Sequence, residues 1–160
     1  MGSLSDRKLA LALSYLNFLG TDKYSAAQLQ QEFYKLGLNF EAFSHEQTCY
    51  VMLKGLGEFF EQGVRLVEHI LAHAKGDEKA LSNLKADILA KRMNEKQDKR
   101  IILRNGMVSF AKFGAVSPFS DLLSEAVLDA IQPDELIQKV KSLYQFEHRI
   151  FTMVINLLKT

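Results

Sequence analysis

The chain has 160 residues, of which 48% are hydrophobic and 24% charged, and its formal net charge is +1 at pH 7. This length predicts one domain with a sizeable buried core, and two prolines and nine glycines argue against disorder or low complexity. The near-neutral charge gives no global field that would favour nucleic acid or an anionic surface. The single cysteine, Cys49, excludes an internal disulfide.

The N-terminal segment does not fit a targeting signal. Arg7 and Lys8 precede an apolar run, as in a signal peptide, but Asp6 lies in the would-be basic region and polar residues interrupt the run. No run approaches the roughly 18 apolar residues of a membrane span. We therefore expect neither a signal peptide nor a transmembrane segment in this chain, and the sequence does not define its compartment.

Residues 7–21 predict the helix around which the rest of the chain is organised. Apolar side chains recur at helical spacing and fill most of its circumference: Leu9, Leu11, Ala12, Leu13, Tyr15, Leu16, Phe18 and Leu19. A helix that is apolar nearly all round is typical of a buried helix. Gly20 is expected to end it, as a residue able to adopt the left-handed conformation.

A second helix and a hairpin are predicted next. Ser25 and Gln28 have the spacing of a capping box, and Gly37 is expected to end the helix that begins there. Residues 38–44 and 48–53 have the aromatic and β-branched composition of strands. Because the link between them is short, they are expected to form an antiparallel hairpin.

Helical periodicity covers most of the remaining sequence. A third helix is predicted over 59–74, and Asp77 is expected to cap a fourth, which leads into the charged stretch 91–100, interpreted as solvated or as a helix junction. Helices are also predicted over 101–113, 124–131 and 133–143, with a loop at 117–119 and a strand at 148–154 that returns to the sheet. This mixture predicts an α+β fold, an antiparallel sheet packed on several helices.

The first helix carries a resemblance to a known family. Residues 10–21 read A-L-A-L-S-Y-L-N-F-L-G-T. This frame resembles the catalytic helix of the pitrilysin/insulinase family of zinc peptidases, which reads roughly A-H-x-x-E-H-x-x-F-x-G-T. The anchors Ala10, Phe18, Gly20 and Thr21 match. The order and spacing of later features, such as residues 35–37 and 55–56, extend the resemblance over most of the chain.

The residues that carry the family's chemistry are replaced. Leu11, Ser14 and Tyr15 occupy the positions of the first His, the Glu and the second His. Zinc needs imidazole, thiolate or carboxylate ligands, and the Glu is the general base of such a site. By resemblance, the third ligand falls near Lys91 or Arg92, whose positive charge opposes metal binding. The resemblance therefore implies the fold without catalysis or zinc in this chain, with zinc in a catalytic half of the parent protein.

Two other pairs of side chains have the residue types of metal ligands. His69 and His73 are four residues apart on the third helix, but Glu68 precedes the pair instead of separating it, so a solvated helix edge is favoured over an adventitious metal site or an independent metalloenzyme. His45 and Cys49 flank the hairpin turn, where an exposed histidine and a buried free cysteine are favoured over a shared metal. No spacing links a nucleophile to a base, and the mixed-sign stretch 91–100 predicts no nucleic-acid patch.

The first strand of the hairpin is the candidate substrate-binding element. In active members of the family, the strand after the second helix pairs with the peptide substrate, and the matching residues here are Asn39, Phe40, Glu41, Ala42 and Phe43. The resemblance implies binding by β-augmentation, through main-chain hydrogen bonds. The alternative is an ordinary strand that the chain itself covers. The family's N-A pair aligns with Phe40 and Glu41, which do not match it.

Two functional hypotheses follow from the resemblance. In the first, residues 1–160 form a single peptidase-like domain of a longer chain, and line a chamber that encloses unfolded peptide opposite the catalytic half, in the same chain or a partner subunit. In the second, the domain is a scaffold that binds a partner protein and never meets substrate. An upstream H-x-x-E-H in the parent reading frame would favour the first hypothesis.

Overall fold

The computed structural model describes residues 6–45, 48–115, 117 and 122–153. In chain order its regular elements are α1 (Arg7–Leu16), α2 (Ala26–Lys35), β1 (Leu38–His45), β2 (Thr48–Gly55), α3 (Phe60–His73), α4 (Glu78–Gln97), α5 (Lys99–Ile101), α6 (Val108–Phe113), α7 (Glu125–Ala130) and α8 (Pro133–Lys141). A 3₁₀ turn, Gly57–Phe59, leads into α3, and a π-helical segment, Ile102–Met107, joins α5 to α6. Helices and one antiparallel hairpin give the α+β class that the sequence predicts.

Helix α1 lies at the centre of the core, as predicted. The carboxylate of Asp6 caps its N terminus by accepting a hydrogen bond from the Leu9 N–H (3.1 Å). Six of its ten residues are buried. The helix contacts β1, α4 and α8, so it is covered from several sides and supplies apolar surface to each of them.

The predicted end of α1 is wrong by one turn. The helix ends at Leu16, and Phe18, expected on the buried face, is 49% exposed. Gly20 does not adopt the left-handed conformation. A Cβ there would lie 2.7 Å from the Tyr24 carbonyl oxygen, so close approach of the backbone is what requires the glycine.

The second helix and the hairpin match their predictions. The Ser25 Oγ accepts from the Gln28 N–H and the Gln28 side chain accepts from the Ser25 N–H, which confirms the capping box. Gly37 follows α2 with φ 62°, in the left-handed region. Strands β1 and β2 pair from Leu38 opposite Gly55 to His45 opposite Thr48.

The C-terminal helices close the other side of α1. Helix α8 begins with Pro133 at its first turn, as predicted, and ion pairs join it to the start of α1: Lys8 with Glu135, and Asp6 with Lys139.

Both ends of α4 also match their predictions. The Asp77 carboxylate accepts a hydrogen bond from the Ala80 N–H at the start of α4. The charged stretch 91–100 is a helix junction, since α4 ends at Gln97 and Asp98 caps the next helix.

One C-terminal expectation differs from the structure. The predicted strand at 148–154 does not form over the described residues 148–153, and Ile150 and Phe151 are 91% and 88% exposed. Composition favours a strand there, but a strand forms only where an edge is available to pair with it. In the predicted loop at 117–119, Ser117 lies outside any helix or strand, and Pro118 and Phe119 lie outside the described residues, as does Val154.

Candidate functional site

The three positions expected for the zinc ligands and the base contain structural residues. Leu11 is 5% exposed and belongs to the core cluster. The Ser14 hydroxyl donates to the Ala10 carbonyl oxygen one turn earlier in the same helix (3.2 Å). Neither side chain offers the imidazole or carboxylate that a zinc site or a general base requires.

Tyr15, at the position of the second His, connects α1 to the start of α4. Its hydroxyl donates to the Asp77 carbonyl oxygen (2.7 Å) and accepts from the Asp77 N–H (2.6 Å). The side chain is fully buried, and this burial raises the pKa of the Tyr15 phenol above its usual value. The hydroxyl therefore stays protonated at neutral pH, with both its donor and its acceptor role engaged by backbone.

The two cations near the third ligand position are also engaged elsewhere. The Arg92 guanidinium donates to the Leu123 carbonyl oxygen (2.8 Å), and Lys91 lies 4.0 Å from Glu95 on the same helix. Within the described ranges, no group of three or more His, Cys, Asp and Glu side chains is arranged to hold a metal ion. The residues at the family's zinc positions do not fit the metal.

His69 and His73 lie beside one carboxylate. The Asp22 oxygens are 3.6 Å from the His69 Nε2 and 3.7 Å from the His73 Nδ1, and the two rings are 4.8 Å apart. The His69 Nε2 also lies 3.0 Å from the Thr21 Oγ1. His69 is half-buried and His73 is exposed, which places the pair at a helix edge, as the sequence predicts.

His45 and Cys49 do not share a site. His45 pairs with Thr48 and Cys49 with Ser44, so alternation along the strands directs the two side chains to opposite faces of the hairpin. Burial raises the pKa of the half-buried Cys49 thiol. A raised pKa lowers the thiolate fraction, so this cysteine is a poor nucleophile.

The candidate substrate-binding residues of β1 lie on both faces of the hairpin. Phe40 stacks on Phe33 of α2 on the core side (ring centroids 5.6 Å apart), and Ala42 is buried beside it. On the outer face, Phe43 stacks on Tyr50 of β2 (5.1 Å). The side chains of Asn39 and Glu41 are exposed, and the Asn39 Nδ2 donates a hydrogen bond to the Glu41 Oε1.

A residue outside the predicted site occupies the outer edge of β1. The Asn17 Oδ1 accepts from the Ala42 N–H (2.9 Å), and the Asn17 Nδ2 donates to the Ala42 carbonyl oxygen (2.8 Å). The sequence offered one signal for this residue, since Asn17 is a polar interruption in an apolar helix. Its partner lies 25 residues away, so the pairing itself could not be predicted.

Two surface depressions lie on α4 and α3, and Lys91, near the expected third ligand position, lines the one on α4. In the described parts of the chain the best-formed ones are lined mainly by polar and charged side chains, along α4 around Asp87 and Glu95 and at the start of α3 around Glu61 and Arg65. Small-molecule sites are usually apolar clefts with a few polar groups. Neither of these two depressions has that character. No helix in the described ranges is long and apolar enough to cross a membrane.

Comparison with solved structures shows a fold that this chain shares with domains of proteases. A mutant of the ferredoxin protease FusC in complex with Arabidopsis ferredoxin aligns with 85% of this chain (TM-score 0.67, 15% identity). A peptidase M16 inactive domain from Pseudomonas fluorescens aligns with 81% (TM-score 0.65, 17% identity), and the periplasmic protease PqqL from Escherichia coli with 90% (TM-score 0.65, 12% identity). The chain spans 15%, 32% and 16% of these structures, respectively.

The comparison with protein families identifies the chain. Residues 1–112 match the family described as Insulinase (Peptidase family M16). No curated protein is similar enough to match. The matched region contains α1 with its replaced ligand positions, the hairpin and α4. With 112 of 160 residues matched, this chain belongs to the insulinase family of peptidases, family M16.

Proposed function

We propose that this chain is a non-catalytic domain, or part of one, in a longer M16 protein. The observation that carries the proposal is the state of the three catalytic positions on α1. Leu11 is buried in the core, Ser14 bonds its own helix, and Tyr15 bonds the backbone of Asp77. These side chains stabilise the domain and supply no ligand or base.

We further propose that the domain forms one wall of a chamber that encloses unfolded peptide opposite a catalytic half. That half, in the same chain or in a partner subunit, would contain the zinc. Two solved relatives are proteases, and one of them, FusC, is bound to ferredoxin. The third is an M16 inactive domain, so a domain without activity is a known member of this fold.

In this proposal, residues 39–43 of β1 contact extended peptide. An edge strand offers unpaired N–H and C=O groups that bind a second strand through its main chain, largely independently of the second strand's sequence. The side chains of this segment are mixed in character, from Phe43 to Glu41, which suits a surface that accepts many peptides. No nucleic-acid partner is expected, given the net charge of +1.

The first experiment tests the absence of chemistry. Purified chain is analysed for metal by mass spectrometry and incubated with a quenched fluorescent peptide, with an active M16 protease as the positive control. We expect far less than one zinc per chain and no hydrolysis above buffer, because no donor set exists at Leu11, Ser14 and Tyr15. One tightly bound zinc per chain would contradict the proposal.

The second experiment tests the peptide contact. Backbone hydrogen exchange of residues 39–43 is followed with and without an unfolded peptide. Protection that depends on the peptide supports the chamber wall. Strong protection in the free protein that the peptide leaves unchanged counts against it.

A scaffold role is the second candidate, and a separate observation favours it. Helix α6 and the π-helical segment before it expose large apolar side chains: Leu103 (60%), Met107 (61%), Phe110 (62%) and Phe113 (59%). Exposed apolar patches mark protein–protein contacts. Unchanged exchange at 39–43 with peptide, combined with protection of 102–113 in a lysate-purified complex, would place this candidate ahead.

A further inference from the structure

The edge of β1 that a peptide would use already has a partner at one residue. The side-chain amide of Asn17 makes two hydrogen bonds with Ala42, one to its N–H and one to its carbonyl oxygen. In an antiparallel ladder, a residue of the neighbouring strand exchanges the same two bonds with its opposite residue. The Asn17 amide therefore takes the place of one residue of an added strand.

Alternation along β1 fixes which backbone groups share this edge. Because both backbone groups of Ala42 point to Asn17, they point away from β2, and so do those of Phe40 and Ser44, two residues before and after it. The described part of the chain provides these two residues with no other partner on that side. An extended peptide could pair with Phe40 or with Ser44, but it cannot pass Ala42 while the Asn17 amide is bound there.

The Asn17 side chain is held in place for this role. Its Nδ2 also lies 3.2 Å from the Leu13 carbonyl oxygen and 3.3 Å from the Ser14 carbonyl oxygen, so the second N–H hydrogen bonds the last turn of α1. An asparagine amide has two donors and one acceptor oxygen. Both donors and the oxygen of Asn17 are hydrogen bonded, and its side chain is half-buried. These contacts favour a single orientation of the amide.

We infer that Asn17 competes with extended peptide for the Ala42 backbone and so lowers the affinity of the β1 edge for peptides. This inference rests on the proposed peptide contact and names the residue that controls it. Binding across the full strand requires the Asn17 amide to rotate away, and the bonds lost must be regained from the peptide. Removal of the amide is expected to raise affinity roughly tenfold, which corresponds to about 1.4 kcal/mol, the net worth of one or two hydrogen bonds.

The test compares peptide affinity between variants of the whole chain. Asn17→Ala removes both bonds, and Asn94→Ala, an exposed asparagine on α4, is the matched control. Asn17→Asp keeps an acceptor for the Ala42 N–H but loses the donor to the carbonyl, and it is the second variant if Asn17→Ala folds poorly by circular dichroism. The probe is a fluorescein-labelled twelve-residue peptide of alternating Ser and Val with a Lys at each end.

A second peptide separates strand pairing from adhesion of side chains. It has the same sequence with N-methyl groups on alternate residues, which removes the N–H donors that an added strand needs. Fluorescence anisotropy gives the dissociation constant for each peptide and variant. We expect roughly tenfold tighter binding of the unmethylated peptide by Asn17→Ala, a smaller gain by Asn17→Asp, no change in Asn94→Ala, and no gain for the methylated peptide.

The outcomes distinguish the inference from the proposed function. If the unmethylated peptide binds wild type and Asn17→Ala equally well, the peptide contact stands and the competition by Asn17 is overturned. If no variant binds it, the peptide contact itself is overturned, and the inference falls with it. A gain that is equal for the methylated peptide would also overturn the inference, because it would not come from strand pairing.

Discussion

Helix α1 and the helical segment 99–113 both have an apolar helical pattern in their sequences, but their surroundings are opposite. Both are apolar and both have helical periodicity, so the sequence predicts a helix for each. Six of the ten residues of α1 are buried, whereas no residue of the three elements from Lys99 to Phe113 is buried. Periodicity therefore specifies a helix, while neighbouring elements decide whether its apolar face is covered.

The neighbours of the two helices account for the difference. Helix α1 packs on β1, α4 and α8, and side-chain bonds hold it at several points, from Asp6 at its start to Asn17 at its end. The segment 99–113 has its main contacts with α4 and within itself, and its middle is π-helical. Three pairs of substitutions test this difference.

The largest effect is expected in the core of α1. Leu13 is fully buried, and Leu13→Ala should lower the free energy of unfolding by about 2–5 kcal/mol, through lost transfer energy and a cavity. Phe110→Ala, in the exposed segment, removes a larger side chain that is 62% exposed and should cost less than about 0.5 kcal/mol. Urea unfolding of both variants measures the difference.

Equal losses of unfolding free energy in Leu13→Ala and Phe110→Ala would contradict the difference between α1 and the segment 99–113. A loss below about 1 kcal/mol for Leu13→Ala would show that α1 is peripheral, since a buried leucine costs more than that. A large loss for Phe110→Ala would show that the segment is covered in solution.

An intermediate effect is expected where α1 meets α4. Tyr15→Phe keeps the buried ring but leaves the Asp77 N–H and carbonyl without their shared partner. The free energy of unfolding should fall by about 1–3 kcal/mol, the net worth of two hydrogen bonds at about 0.5–1.5 kcal/mol each. Tyr34→Phe removes a hydroxyl from a residue that is 85% exposed and serves as the control.

A pH profile checks the same contact. Burial raises the pKa of Tyr15 because it disfavours the charged phenolate, so the protonated phenol should stabilise the fold fully below the usual tyrosine pKa near 10. This contribution should be lost as pH rises through the folded-state value. The stability difference between wild type and Tyr15→Phe should therefore shrink in alkali. A difference that stayed constant would refute this account.

The smallest effect is expected at the start of α1. Burial acts to raise the pKa of Asp6, but the hydrogen bonds from Lys139 and the Leu9 N–H outweigh it, so the pKa is lowered. Asp6→Asn keeps the cap and removes the ion pair, which should cost about 0.2–1 kcal/mol at pH 7, as for a partly exposed pair. Asp87→Asn, on the surface of α4, is the control.

The sign of the pH dependence makes this prediction testable. A lowered pKa means that the contribution of Asp6 is full above its unfolded value, near 3.9, and is lost as pH falls through the folded value. Thermal unfolding of wild type and Asp6→Asn from pH 7 to pH 2 should converge at the acid end. A gap that persisted at pH 2 would mean that charge does not stabilise this junction.

Local signals were the most predictable part of the fold. The Ser25 and Gln28 capping box, the caps at Asp77 and Ser124, and the left-handed Gly37 all depend on residues within a few positions along the chain. Such hydrogen bonds form wherever the local backbone allows them, so sequence spacing suffices. The prediction for Gly20 was wrong because its constraint comes from the approach of the Tyr24 backbone.

The absence of the M16 zinc ligands and base from α1 follows from the sequence alone, because Leu11, Ser14 and Tyr15 occupy their positions. What those residues do instead was decided by tertiary structure. Tyr15 meets Asp77 from 62 residues away, and Asn17 meets Ala42 from 25 away. These pairings depend on how helices and strands pack, because a side-chain amide or hydroxyl can satisfy any backbone group that the fold brings within hydrogen-bond distance.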